Sequence, residues 1–270
     1  MHIRSFKLPT VSWPMAIAGM RDGLIAGAVI AALVFPVRAW WTAAPVGDQS
    51  PSVQSIDKNS RPARSAPRFA DFGSESASPD ARHVANWVAD SGDNAEGEFV
   101  IVDKKFAKVY VFDARARLRG ATPVLLGAAP GDDSVPGIGT RPISDIRVEE
   151  RTTPAGRFTA QRGINALQED VVWIDYGAAV SMHRVRATDP KERRLERLAS
   201  ATADDNRISW GCINVPAAFY EGFVQPVFAQ RKALVYVLPE VKAVQQVFGS
   251  YDVAQAHRLA SVSIAIPSAW

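Results

Sequence analysis

Cysteine and histidine are scarce in this chain: one cysteine, Cys212, and four histidines, His2, His83, His183 and His257. A single thiol excludes an intramolecular disulfide, and so few Cys and His count against a structural zinc site, which takes four such ligands. Charge of one sign is also lacking. Lys and Arg total 31 against 28 Asp and Glu, a net +3, too near balance for a dedicated nucleic-acid binder despite a pI of about 9.1. Internal repeats are absent. What remains is a 270-residue chain, 47% hydrophobic and 22% charged, which is long and apolar enough for one good core. Its lone thiol serves either packing or chemistry.

The N-terminal segment carries Arg4, Lys7 and Arg21 against one acid, Asp22, and is followed by an uncharged apolar run over residues 24–37. That run is shorter than the roughly 20 residues that span a bilayer, but Arg38 can snorkel, and Trp40 and Trp41 suit the membrane interface. Residues 1–46 therefore read as a cytoplasmic n-region and a membrane-anchor helix, with a cleaved signal peptide as the alternative; both export the remainder. Residues 47–97 read as a flexible Ser/Pro-rich spacer and domain edge, in which residues 83–89 form a short helix packing Val84, Trp87 and Val88. A globular domain is expected over residues 98–240 and a tail of unassigned role over 241–270.

Within that domain, residues 98–103 (EFVIVD) and 107–113 (AKVYVFD) are β-branched and aromatic runs separated by Lys104 and Lys105, the pattern of a hairpin. Residues 122–127, 157–161, 171–176, 179–183 and 233–238 read as further strands, and 131–142 as a turn-rich loop. Short strands punctuated by Gly and Pro predict a mainly β fold with short inserted helices. One such helix follows Asp189-Pro190, where an N-cap residue and a proline at the first helical position precede Leu195 and Leu198. Residues 217–230 form another helix or pair of turns.

Cys212 stands in Arg207-Ile208-Ser209-Trp210-Gly211-Cys212-Ile213-Asn214-Val215-Pro216, and His183 in Ser181-Met182-His183-Arg184-Val185. A thiol of ordinary pKa, near 8.5, is only about 3% thiolate at pH 7, so a useful nucleophile needs a partner to take its proton. His183 is the candidate, because His2 lies in the n-region, His83 beside the spacer and His257 in the tail. Gly211 lets backbone and substrate approach closely, and the N–H groups of Gly211 and Cys212 are candidates for an oxyanion hole. Ser209 and Asn214 are candidates for orienting the loop or hydrogen-bonding the substrate.

Taken together, these segments resemble the catalytic domain of L,D-transpeptidases (YkuD-type), whose signature is a histidine at a strand end and a later Ser/Thr-His-Gly-Cys-x-Asn/Arg motif. Thr153-Pro154-Ala155-Gly156-Arg157-Phe158 resembles the Thr-Pro-x-Gly-x-Phe segment of that family, and the resemblance covers about residues 98–238. It implies a β-sandwich or barrel-like fold, Cys212 as nucleophile, His183 as base, and the Arg184 carbonyl holding the second imidazole nitrogen. It further implies no metal or organic cofactor, and peptidoglycan stem peptides as substrate, acted on through a thioester from the periplasmic side of the cytoplasmic membrane in a bacterial cell envelope. The resolving group stays open: an amine, giving a cross-link or an attached acceptor, or water, giving an L,D-carboxypeptidase or amidase. A cell-wall-binding protein with a decayed site is the alternative from another class.

Two departures stand out. Trp210 occupies the place of the usual second histidine, which alters the shape and polarity of the cleft. Cys212 lies 29 residues after His183, longer than is usual for the family, and the basic segment 190–201 fills the gap. That segment is either a lid suited to carboxylates, with Arg184, Arg186, Lys191, Arg193, Arg194 and Arg197 nearby, or a solvated surface helix.

Overall fold

The computed structural model describes residues 66–264. The apolar run over residues 24–37 lies outside them; among the described residues no helix is long and apolar enough to cross a membrane. Ten strands alternate with short helices: β1 (Phe99–Asp103), β2 (Lys108–Phe112), β3 (Leu118–Pro123), β4 (Leu126–Gly127), β5 (Gly156–Ile164), β6 (Asp170–Asp175), β7 (Val180–Arg184), β8 (Arg207–Ser209), β9 (Ile213–Val215) and β10 (Ala233–Val237). Eight of them form one sheet in the order β3-β2-β1-β10-β5-β6-β7-β9, while β4 and β8 pair separately. Pairing is antiparallel except for β1 with β10 and β7 with β9 within this sheet, and β4 with β8. The chain leaving β3 crosses to the opposite end of the sheet, where Leu125 and Asn214 exchange backbone hydrogen bonds of 2.9 and 2.8 Å. The sheet is therefore mixed and barrel-like.

Both faces of its centre are buried, which explains why β1, β2 and β10 are nearly continuous apolar runs rather than alternating ones. Val100, Val102, Val109, Val111, Val235 and Val237 point inward with Val172, Met182, Ile213 and Val215. Their neighbours in sequence, Phe99, Ile101, Tyr110, Phe112, Leu234 and Tyr236, point the other way, onto Val84, Ala85, Trp87 and Val88. Those last four belong to α1 (Pro79–Ser91), whose ends follow local rules. Ser78 caps the first turn by accepting from Ala81 N–H, Pro79 opens it, and Gly92 closes it at φ 72.

Several boundaries depart from the sequence expectation. The expected helix at 83–89 starts four residues earlier, and the Ser/Pro-rich stretch ahead of it is folded over its last part: Leu118 and Asp71 are hydrogen-bonded at 2.8 Å, and Arg68 N–H donates to Asp90. Third, the strand expected at residues 122–127 begins at Leu118 and breaks before Leu126. β3 is an edge strand, half-exposed along its length, so it has no need of the apolar run by which the other strands announce themselves. The segment 217–230 is one helical stretch, opening at Ala217–Phe219, widening to a π turn at Tyr220–Val224 and ending at Gln225–Val227.

Candidate active site

Parallel neighbours cannot be joined by a tight turn and need a crossover of a dozen or more residues. The link from β7 to β9 is such a crossover, and it contains the basic segment seen in the sequence: a turn at Pro190–Glu192, then α2 (Arg194–Ala199). Asp189 caps the turn through Lys191 N–H, as its sequence predicts. The register sets His183 opposite Asn214, which brings the histidine of β7 beside the turn that carries Cys212.

That turn is tightly built. Gly211 adopts φ +119, and a Cβ there would sit 2.9 Å from the Thr152 carbonyl oxygen, so the position accepts only glycine. The Gly211 carbonyl accepts from Thr153 Oγ1 at 2.8 Å, and the same hydroxyl accepts from Gly127 N–H at 2.9 Å. Ser209 Oγ donates to the Cys212 carbonyl at 2.6 Å and accepts from Gly211 N–H at 3.1 Å. Ser209 thus orients the loop, as expected. The expectation that Gly211 lends its N–H to an oxyanion pocket does not fit, because that N–H is already engaged; the Cys212 N–H is left as the donor of the pair. Thr153 is fully buried, so the Thr-Pro-x-Gly segment braces the Gly211–Cys212 turn from behind. A buried threonine is not distinguishable from a turn residue in sequence, and this role was not legible there.

Cys212 is partly exposed. Its Sγ lies 3.7 Å from Ser181 Oγ and 3.8 Å from the Ala179 carbonyl. Burial pushes the thiol up, but the hydrogen bond and charge of His183, with the backbone and hydroxyl of Ser181, outweigh it and hold the thiol below its ordinary range. The reciprocal holds for His183. Burial pushes the imidazolium down, and Cys212, the Arg184 carbonyl and the Glu169 carboxylate more than restore it, leaving the group above its ordinary value. His183 Nδ1 is 2.8 Å from the Arg184 carbonyl oxygen. A carbonyl only accepts, so Nδ1 carries a proton and Nε2 is the nitrogen free to act as a base. The Arg184 backbone thus does what the resemblance implied, while its side chain is turned to Asp170 at 2.9 Å and Glu221 at 3.0 Å.

The remaining sequence candidates separate. Asn214 is buried and reaches the site, with Nδ2 at 3.3 Å from His183 Nε2 and 3.4 Å from the Cys212 carbonyl. Trp210 is half-exposed, and its ring lies under the Arg151 guanidinium, 3.3 Å from the centroid, while that guanidinium also donates to the Ile146 carbonyl. One ring face is therefore taken by the chain itself. The basic segment is largely neutralised: Arg186 pairs with Glu169, Arg193 with Glu196 and Arg194 with Glu192, and Arg197 donates to the Glu192 and Asp205 carbonyls. Of the two readings the sequence left open, these pairings fit the solvated surface helix better than a lid for carboxylates. Arg194 also donates to Asn214 Oδ1, a contact across 20 residues that the sequence did not reveal.

Its solved structural neighbours include L,D-transpeptidases. The catalytic domain of the E. faecium L,D-transpeptidase matches at 16% identity and TM-score 0.30, covering 53% of this chain and 98% of that one. An L,D-transpeptidase captured as the avibactam carbamoyl enzyme matches at 18% and 0.31, covering 53% and 49%. The helical cell shape determining protein Pgp2 from Campylobacter jejuni matches at 17% and 0.37, covering 58% and 55%. The chain thus spans about half the length of two of these three. No protein-family model and no curated protein matches it. At identities and TM-scores this low the likeness assigns no activity, and the chemistry rests on the site residues.

Proposed function

We propose that the protein is a cysteine-dependent acyltransferase of the L,D-transpeptidase type, acting on peptidoglycan stem peptides. The observation that carries the reading is a lone, partly exposed thiol held below its ordinary range by a histidine whose other ring nitrogen is fixed on a backbone carbonyl. Nucleophilic catalysis by a thiol needs this arrangement: a base within reach, and a third group that orients the base. The substrate class comes from the motif resemblance.

Cys212 Sγ attacks the carbonyl of the L-centre residue bonded to a terminal D-amino acid, forming a C–S bond as His183 Nε2 takes the thiol proton. Cys212 N–H donates to the developing oxyanion. Collapse breaks the C–N bond, with the proton returned from Nε2 to the leaving amine, and leaves a thioester. An incoming amine then gives up its proton to Nε2 and displaces the thiolate. Water in that place makes the same site a carboxypeptidase. The apolar run over residues 24–37 supplies the export that such a substrate requires.

Intact mass tests the reading. After incubation with a tetrapeptide donor or a carbapenem, the wild-type chain is expected to gain one covalent adduct and Cys212→Ala none. A folded wild-type protein that stays unmodified refutes it and favours a wall-binding role.

A further inference from the structure

The amide of Asn214 sits between a cation and the reacting nitrogen of the base. A guanidinium has donors only, so the atom facing Arg194 Nη1 must be the amide oxygen, and the NH2 must face His183 Nε2 at 3.3 Å. An NH2 group donates to the lone pair of a neutral ring and opposes an N–H there. Rotated by half a turn, the same amide would accept from a protonated Nε2, but its NH2 would then meet the guanidinium. The contact is shielded: Asn214 is 1% exposed, the Arg194 side chain 11%. Arg194 is itself tied to Glu192 at 2.6 Å, one residue before the left-handed Arg193 that opens α2.

We propose that Arg194 is a positioning residue. By locking the Asn214 amide it opposes protonation of His183 Nε2, so that the docked crossover segment, and not the strands alone, tunes the proton affinity of the base. This rests on the reading of His183 as the base for Cys212. The other groups facing the ring pull the opposite way: Cys212 from the nucleophile turn, the Arg184 carbonyl from β7, and Glu169 ahead of β6, which shares its charge with Arg186. Burial of the ring disfavours the imidazolium, and among these hydrogen-bonding and charged groups the locked amide acts in the same sense.

The test uses the full-length chain carrying Cys212→Ala, in which the ring titrates without the thiol. Nitrogen-15 NMR of the four histidines, with His183 identified by its loss in His183→Gln, reads the protonated-to-neutral ratio at fixed pH. A hydrogen bond gained by a charged group gives roughly a tenfold change, so Arg194→Met is expected to raise that ratio about tenfold. Arg194→Lys, which keeps a donor and the charge, is expected to match the parent. Asn214→Ala is expected to raise the ratio as well, and adding Arg194→Met to it to change nothing further. An unchanged or lower ratio in Arg194→Met overturns the proposal. An equal rise on the Asn214→Ala background also overturns it, since Arg194 would then act by charge through space. Should Arg194→Met not fold, an unchanged or lower ratio in Asn214→Ala overturns it alone. Adduct formation at Cys212 in the wild type is read separately, so the functional reading and this one fail independently.

Discussion

Replacing His183 by alanine removes the group that most strongly offsets the burial of Cys212. In the intact site burial raises the thiol and His183 lowers it, with the backbone and hydroxyl of Ser181 helping. Without the imidazole, burial is opposed only by Ser181, whose hydroxyl stands 3.7 Å from Sγ. A hydrogen bond to an ionised group contributes about 1.5–3 kcal/mol, or roughly 10-fold to 100-fold in thiolate population. Part of the rate advantage is offset because a thiolate of lower pKa is intrinsically less nucleophilic. Alkylation of Cys212 by iodoacetamide at pH 7, followed by intact mass, is therefore expected to slow about tenfold or more in His183→Ala. The sign has a second signature: the wild-type rate levels off below the ordinary thiol range, whereas the variant rate keeps climbing with pH beyond it. With one cysteine in the chain, the adduct has a single address. Equal rates at pH 7 in two proteins shown by circular dichroism to be folded would refute the claim that His183 activates the thiol.

Thr153→Val keeps the shape of the brace behind the Cys212 turn but leaves Gly127 N–H and the Gly211 carbonyl without their partner. An unsatisfied buried group costs about 1–3 kcal/mol, so a lowered melting temperature and slower Cys212 alkylation are expected together; an unchanged melting curve would contradict the bracing role. Asp132 gives a pH dependence. Burial pushes its carboxyl up, but the N–H groups of Glu240, Lys242 and Val241 and the ammonium of Lys104 bring it down to about 2. Its contribution is thus present above the unfolded carboxylate value near 3.8 and is lost as pH falls towards about 2. The folded-state gain is about 2 kcal/mol. Asp132→Asn is expected to lower stability at pH 7 and to flatten the acid limb of a stability–pH curve between about pH 4 and 2; a limb of unchanged steepness would count against it.

Much of this molecule was legible in its sequence wherever a pattern is local. The apolar runs of β1, β2 and β10 and the Asp189 cap follow from side-chain chemistry within a few residues. Cys212 and His183 stood out because reactive side chains are so few. What sequence did not reveal depends on chain segments that meet only in the fold. Thr153 and Gly211 are 58 residues apart, and Arg194 meets Asn214 only because the crossover folds back on β9. The half-exposed edge strand β3 had no apolar run to mark its start. The Gly211 N–H was misread because the Ser209 hydroxyl that occupies it turns back within the same tight loop.

Every contact that sharpens Cys212 comes from residues at least 29 positions earlier in the chain, across a parallel pairing that is slow to close. Until β9 docks on β7, the sulfur is an ordinary thiol, mostly protonated and poorly reactive. The proposed chemistry is thereby timed by topology: on that reading the thiol acquires its activating partner only as a late consequence of completing the sheet.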